Sequence, residues 1–146
     1  MRFSLITFMF FASACHAQNV FPLPTDTDLK AAYCTPILKA NEESLASWMN
    51  SPFSASATNR KDMEAKAEEV SRSLRRVRLY LIPRLQYLDS NALLAASRSG
   101  EEDYAASIKA AEACISLCTA KGCPKCQENP AEARIKSCNS ASFLPF

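Results

Sequence analysis

The chain has almost no glycine and almost no histidine. Two glycines, Gly100 and Gly122, stand isolated among 146 residues. A phosphate-cradling loop or dinucleotide fingerprint needs several at fixed spacing, so that backbone N–H groups can approach the anion. Nucleotide binding by those routes is excluded. The single histidine, His16, falls in an N-terminal segment that reads as a removable signal. Residues 18–146 therefore offer no imidazole for general base catalysis, for a Ser/His or Cys/His pair, or for a metal site. No catalytic motif is recognisable, so the chain is expected not to be an enzyme, and no cofactor or metal is called for. An excess of charge of one sign is missing too, with 17 basic residues against 15 acidic ones. Such a balance gives no support to nucleic-acid binding. After residue 17 no apolar run is long enough to cross a membrane.

What is present begins with residues 1–17, MRFSLITFMFFASACHA. Arg2 supplies a positive start, Leu5 to Ala12 a short apolar run, and Cys15 and Ala17 the small residues before a cleavage point. Cleavage after Ala17 is the expectation, which places the protein in the periplasm or outside the cell. The brevity of the signal points to a bacterial envelope. A competing reading makes Cys15 a lipidated first residue after Ala12, Ser13 and Ala14, although such signals usually carry leucine where Ala12 stands.

Export governs the cysteines. Of seven, one lies in the signal and six remain: Cys34, Cys114, Cys118, Cys123, Cys126 and Cys138. An even set in an oxidising compartment favours disulfides. Cys34 has no near neighbour in sequence, so it is expected to join Cys114, Cys118 or Cys138. The spacing Cys114-x3-Cys118-x4-Cys123-x2-Cys126 also admits a rival reading as a zinc or thiol-disulfide site. Two CxxC pairs in the order of a zinc module are lacking, however. The Cys123-Pro124-Lys125-Cys126 segment follows a helix end rather than the strand that redox enzymes of that pattern require.

Helical signals fill the rest. Residues 18–27 carry two prolines among turn formers and read as an extended leader. Thr25 to Thr27 offer caps for a stripe of Leu29, Tyr33, Ile37, Leu38, Leu45, Trp48 and Met49. At Thr35-Pro36 the proline either kinks this helix or starts a fresh one. Asn50 to Asn59 is a loop by composition. Met63, Ala67, Val70, Leu74, Val77 and Leu81 then follow alternating steps of four and three, the seam of a long helix that Pro83 ends or kinks. Asp89 caps a short helix expected to stop near Gly100. Tyr104, Ile108, Ala111, Ile115 and Cys118 mark a second seam running to Gly122, and Asn129-Pro130-Ala131-Glu132 opens one more short helix toward Cys138. The pattern predicts an all-α fold, a small disulfide-stabilised bundle of four to five helices, in one domain over residues 18–146.

Arg72, Arg75, Arg76, Arg78 and Arg84 concentrate guanidinium groups near one helix end. They suit a carboxylate, a phosphate or an acidic partner surface, and equally a solvated face paired with Glu68 and Glu69. The expectation from sequence is an exported interaction module whose arginine helix contacts a protein or an anionic component of the envelope. The aromatic tail, Phe143 to Phe146, is expected to tuck into the bundle.

Overall fold

The structure, a computed structural model, describes residues 21–51, 57–119, 122 and 129–145. Residues 1–20 with Cys15 and His16, residues 52–56 of the expected 50–59 loop, Cys123, Cys126 and Phe146 lie outside the described residues, and the last three residues of that expected loop, 57–59, already belong to the second helix. Four helices run in the order α1 (Asp26–Met49), α2 (Ala57–Leu81), α3 (Ser90–Ser116) and α4 (Glu132–Lys136). No strand occurs among the described residues beyond an isolated bridge between Thr119 and Gly122. The fold is all-α, with three long helices and a fourth of only five residues.

Local chemistry explains most boundaries. Thr25 and Asp28 form a reciprocal capping box at the start of α1, satisfying backbone donors that the first helical turn leaves unpaired. Pro36 does not break α1. The helix runs through it, and the Thr35 hydroxyl bonds the Ala31 carbonyl at 2.9 Å. Pro83 stops α2 at Leu81 and sends the chain into a turn, after which Asp89 caps α3 by accepting the Asn91 N–H at 2.8 Å. The Asp89 N–H in turn donates to the Pro22 carbonyl, which seats the extended 21–25 segment beside the start of α3.

Packing is organised around α1. Arg84 meets Asp28 while Ser71 meets Glu42, so α2 runs antiparallel to α1. Gly100 lies against Tyr33 and Tyr104 bonds Asn41, so α3 runs parallel to it. The expected α2 seam is the buried face, with Val70, Leu74, Val77 and Leu81 all in the core beside Ile37 and Leu38. Between α2 and α3, on one side of α1, the cleft is filled by the chain's end. Cys34 is bonded to Cys138, both fully buried, and Leu144 is buried beyond them. The buried Ser73 hydroxyl bonds the Asn139 carbonyl. Phe143 packs on the core with the Lys30 ammonium 4.8 Å from its ring centre, so this part of the aromatic tail is tucked in.

Two expectations about the third helical region are corrected. There is one helix from Ser90 to Ser116, not two meeting at Gly100. Gly100 is buried, and a Cβ there would collide with the Tyr33 carbonyl oxygen and press on the Pro36 ring. Its role is to let α1 and α3 touch backbone to backbone, with its α-hydrogen facing that carbonyl. The core stripe of α3 is therefore Leu93, Ala96, Gly100 and Tyr104. The expected second seam meets it only at Tyr104, because Ile108 and Ile115 are 44% and 68% exposed.

Gly100 gives the first test. Helix propensity alone favours alanine over glycine by about 1 kcal/mol. The contact reverses the sign, and Gly100→Ala is expected to lose about 1–3 kcal/mol in urea unfolding as the helices are forced apart. A stabilised variant would show that the close approach is not required. The disulfide gives the second. It joins residues 104 apart in sequence, so replacing Cys34 and Cys138 together by alanine should remove about 4–5 kcal/mol in the chain-entropy account. Reductant should move the wild-type urea midpoint toward that of the variant; an unmoved midpoint would refute the clasp's role.

Candidate functional site

The site is built outward from the α1 N-terminus. Asp28 is fully buried, and a buried carboxylate is tolerated only where charge and donors compensate it. The turn after α2 supplies them. Arg84 donates through Nε to Oδ1 at 2.6 Å and through Nη2 to Oδ2 at 3.3 Å, while the Thr25 N–H bonds Oδ2 at 2.8 Å. The Tyr80 hydroxyl reaches the same carboxylate, and the Arg84 guanidinium lies 5.0 Å from the Tyr80 ring centre. Burial pushes the Asp28 pKa upward, but these donors outweigh it and hold the carboxyl well below the usual carboxylate range. For Tyr80 burial and the same carboxylate act together and raise the phenol.

This clamp fixes the direction in which the post-α2 turn leaves the helix, and so places Leu85. On the side of α1 opposite the C-terminal segment, the cleft between α2 and α3 has no covering segment among the described residues. It forms a groove of about 410 Å3. Ala32 and Thr35 form its floor, Leu81 and Leu85 one wall, and Leu93 and Leu94 the other. Leu85 and Leu94 are each 50% exposed. A separate depression toward the middle of α2 is lined by Arg75 and Arg78 together with Leu79 and Ile82, both mostly exposed. Glu42, bonded to the Ser71 hydroxyl, forms its α1 side.

The five arginines singled out by sequence are distributed rather than clustered. Arg84 is the Asp28 clamp. Arg72 pairs with Glu68 at 3.4 Å on the outer face, both side chains largely exposed. Arg76 is half-buried on another side of the helix, and Arg75 and Arg78 alone share the depression. A second clamp went unnoticed in the sequence. Asp103 of α3 accepts from the Tyr33 hydroxyl at 2.7 Å and from Arg134 Nη2 at 2.7 Å. Burial would raise Asp103, yet Tyr33 and Arg134 together lower it. The Thr25-x-x-Asp28 spacing was the one local sign that Asp28 is special; nothing local marks Asp103.

Cys114 and Cys118 are disulfide-bonded. Sulfurs bonded in this way are not the free thiolates that a zinc site requires. Among the described residues no three His, Cys, Asp or Glu side chains converge as a metal site, and no helix is long and apolar enough to cross a membrane. The architecture defines a disulfide-clasped bundle of three long helices with a groove, lined by Ala32, Leu85 and Leu94, that no described residue covers. Comparison with protein-family models, with curated proteins and with solved structures finds no match.

Asp28 supplies the test of this framework. Asp28→Ala is expected to destabilise the protein by about 3 kcal/mol at neutral pH, the low end for a broken buried pair because Arg84 can turn to water. The lowered folded pKa means this contribution is complete above roughly pH 5 and fades as pH falls through the ordinary carboxylate value of about 4 toward the folded one. Thermal melts from pH 7 to pH 2 should show a shallower acid decline for the variant. Parallel acid declines would remove Asp28 as the responsible group.

Proposed function

We propose that the protein is an exported, non-catalytic interaction module of the bacterial envelope or extracellular space. Its open groove takes an amphipathic, acidic segment of another protein. The observation that carries this reading is that the apolar groove of Leu81, Leu85, Leu93 and Leu94 and the depression lined by Arg75 and Arg78 lie along the same helix, α2. A helix laid in such a groove buries side chains at i, i+3, i+4 and i+7, and acids on its flank meet the arginines. Guanidinium groups at a rim steer and orient an acidic partner, and the half-exposed leucines supply the buried area. Export is supported by the N-terminal sequence pattern and by the number of bonded cysteines, which suit an oxidising compartment.

Peptides with leucine or phenylalanine at i, i+4 and i+7 and glutamate on one flank test the reading by titration against the whole chain. Binding should weaken with salt, and should fall about tenfold or more both in Arg75→Glu/Arg78→Glu and in Leu94→Glu. Melting temperatures should stay close to wild type, because these side chains lie outside the core. Unchanged binding in both variants would move the contact surface elsewhere. Preference for anionic lipid vesicles over every peptide would replace the protein partner by a membrane component.

A further inference from the structure

The two edges of the groove side differ in charge. Thr35 and Glu42, seven residues apart on α1, share a face, so the groove and the arginine depression open on the same side of the bundle. Its α2 edge carries Arg75, Arg78 and Ile82, with Leu85 following in the turn. Its α3 edge carries Leu94. At about 100° per residue Glu101 and Glu112, both exposed, share the direction of Leu94, while Arg98 points about 60° farther from the core stripe than Glu101. Among the described residues Arg75, Arg78, Glu101 and Glu112 form no ion pair. One edge is therefore basic and apolar, the other acidic and apolar.

These groups also stand level. Arg78 lies roughly midway between Ser71 and Arg84, which meet Glu42 and Asp28 on α1, so it stands beside Thr35. Gly100 lies against Tyr33 and Pro36, so its neighbour Glu101 stands at the same height on the opposite edge. Leu94, nearly two turns earlier on α3, comes level with Ile82 and Leu85 in the same way. A two-fold axis parallel to α1 leaves every height unchanged and lays the α2 edge of one copy on the α3 edge of another. We propose that the acidic segment the groove takes is α3 of a second copy, which makes the protein a symmetric dimer closed across this side. The proposal rests on the groove being a docking surface and names its occupant. Arg78 meets the partner's Glu101, Ile82 and Leu85 meet the partner's Leu94, and symmetry repeats both contacts. A foreign acidic helix would match the arginine edge alone, whereas a second copy also brings arginines to Glu101. Leu79, Ile82, Leu85 and Leu94, each half or more exposed in the single chain, supply the apolar contact area.

Sedimentation velocity of the full, disulfide-bonded chain tests this. The wild type should form a dimer that dissociates on dilution and with added salt. Arg78→Glu and Glu101→Arg should each weaken association about tenfold or more, since each sets two like-charged pairs in the interface. Combined in one chain, the two substitutions exchange the charges and should restore association to within about threefold of wild type. Melting temperatures of the dissociated chains should match, because both side chains are exposed. A wild type that stays monomeric would overturn the proposal, as would single variants without effect or a double variant no better than the singles. The groove reading is judged separately. A monomer that still binds the acidic peptides loses only the second copy, and a monomer that binds none of them loses both.

Discussion

α2 and α3 both pack on α1 and hardly on each other. A bundle arranged in this way has two clefts, one on each side of the shared helix, and a hydrophobic core closes only if at least one is filled. The chain fills one with its own C-terminal residues and secures them by the bond from Cys34, in the middle of α1, to Cys138. Ala131, Ile135, Ala141 and Leu144 become core residues by virtue of that placement. No described residue covers the other cleft, and its floor of Ala32 and Thr35 belongs to the same helix that carries Cys34.

Register within this arrangement is set by polar contacts rather than by burial alone. Asp28 with Arg84 fixes α2 against the start of α1, and Asp103 with Tyr33 and Arg134 fixes α3 and the α4 segment against its next two turns. Buried ion pairs add little net stability, yet an unmatched buried charge is severe enough to disfavour a slipped alignment. Gly100 adds a steric stop, because only at its own position can α3 approach the Tyr33 carbonyl. The walls of the groove are thus positioned by residues that do not line it.

Much of the helical framework was legible. The four-three steps from Val70 to Leu81 mark a face that is buried in full, and Thr25, Pro83 and Asp89 act where local chemistry places them. What escaped reading depends on distant chain. A glycine in a helical run looks like a stop, and only the arrival of α1 at Gly100 gives it a different purpose. Ile108 and Ile115 have helical spacing, but periodicity states which residues share a face, not how much of that face meets a neighbour. The arginines are close in sequence, yet at about 100° per residue they spread around α2, leaving only Arg75 and Arg78 together.

The clasp also sets an order of events. A chain made from its N-terminus presents Cys34 long before Cys138, and presents Cys114 and Cys118 in between. α1 and α2 can pair as a local hairpin early, since their contacts need nothing later than Arg84. During that interval Cys34 has no correct partner, and any bond it makes joins it to the wrong half of the molecule. Only when residues 129–145 arrive can Ser73 and Asn139 meet and that segment enter its cleft. The Cys34–Cys138 bond is then a report that the chain through residues 129–145 has emerged and folded, with that segment acting as the seal on the first helix.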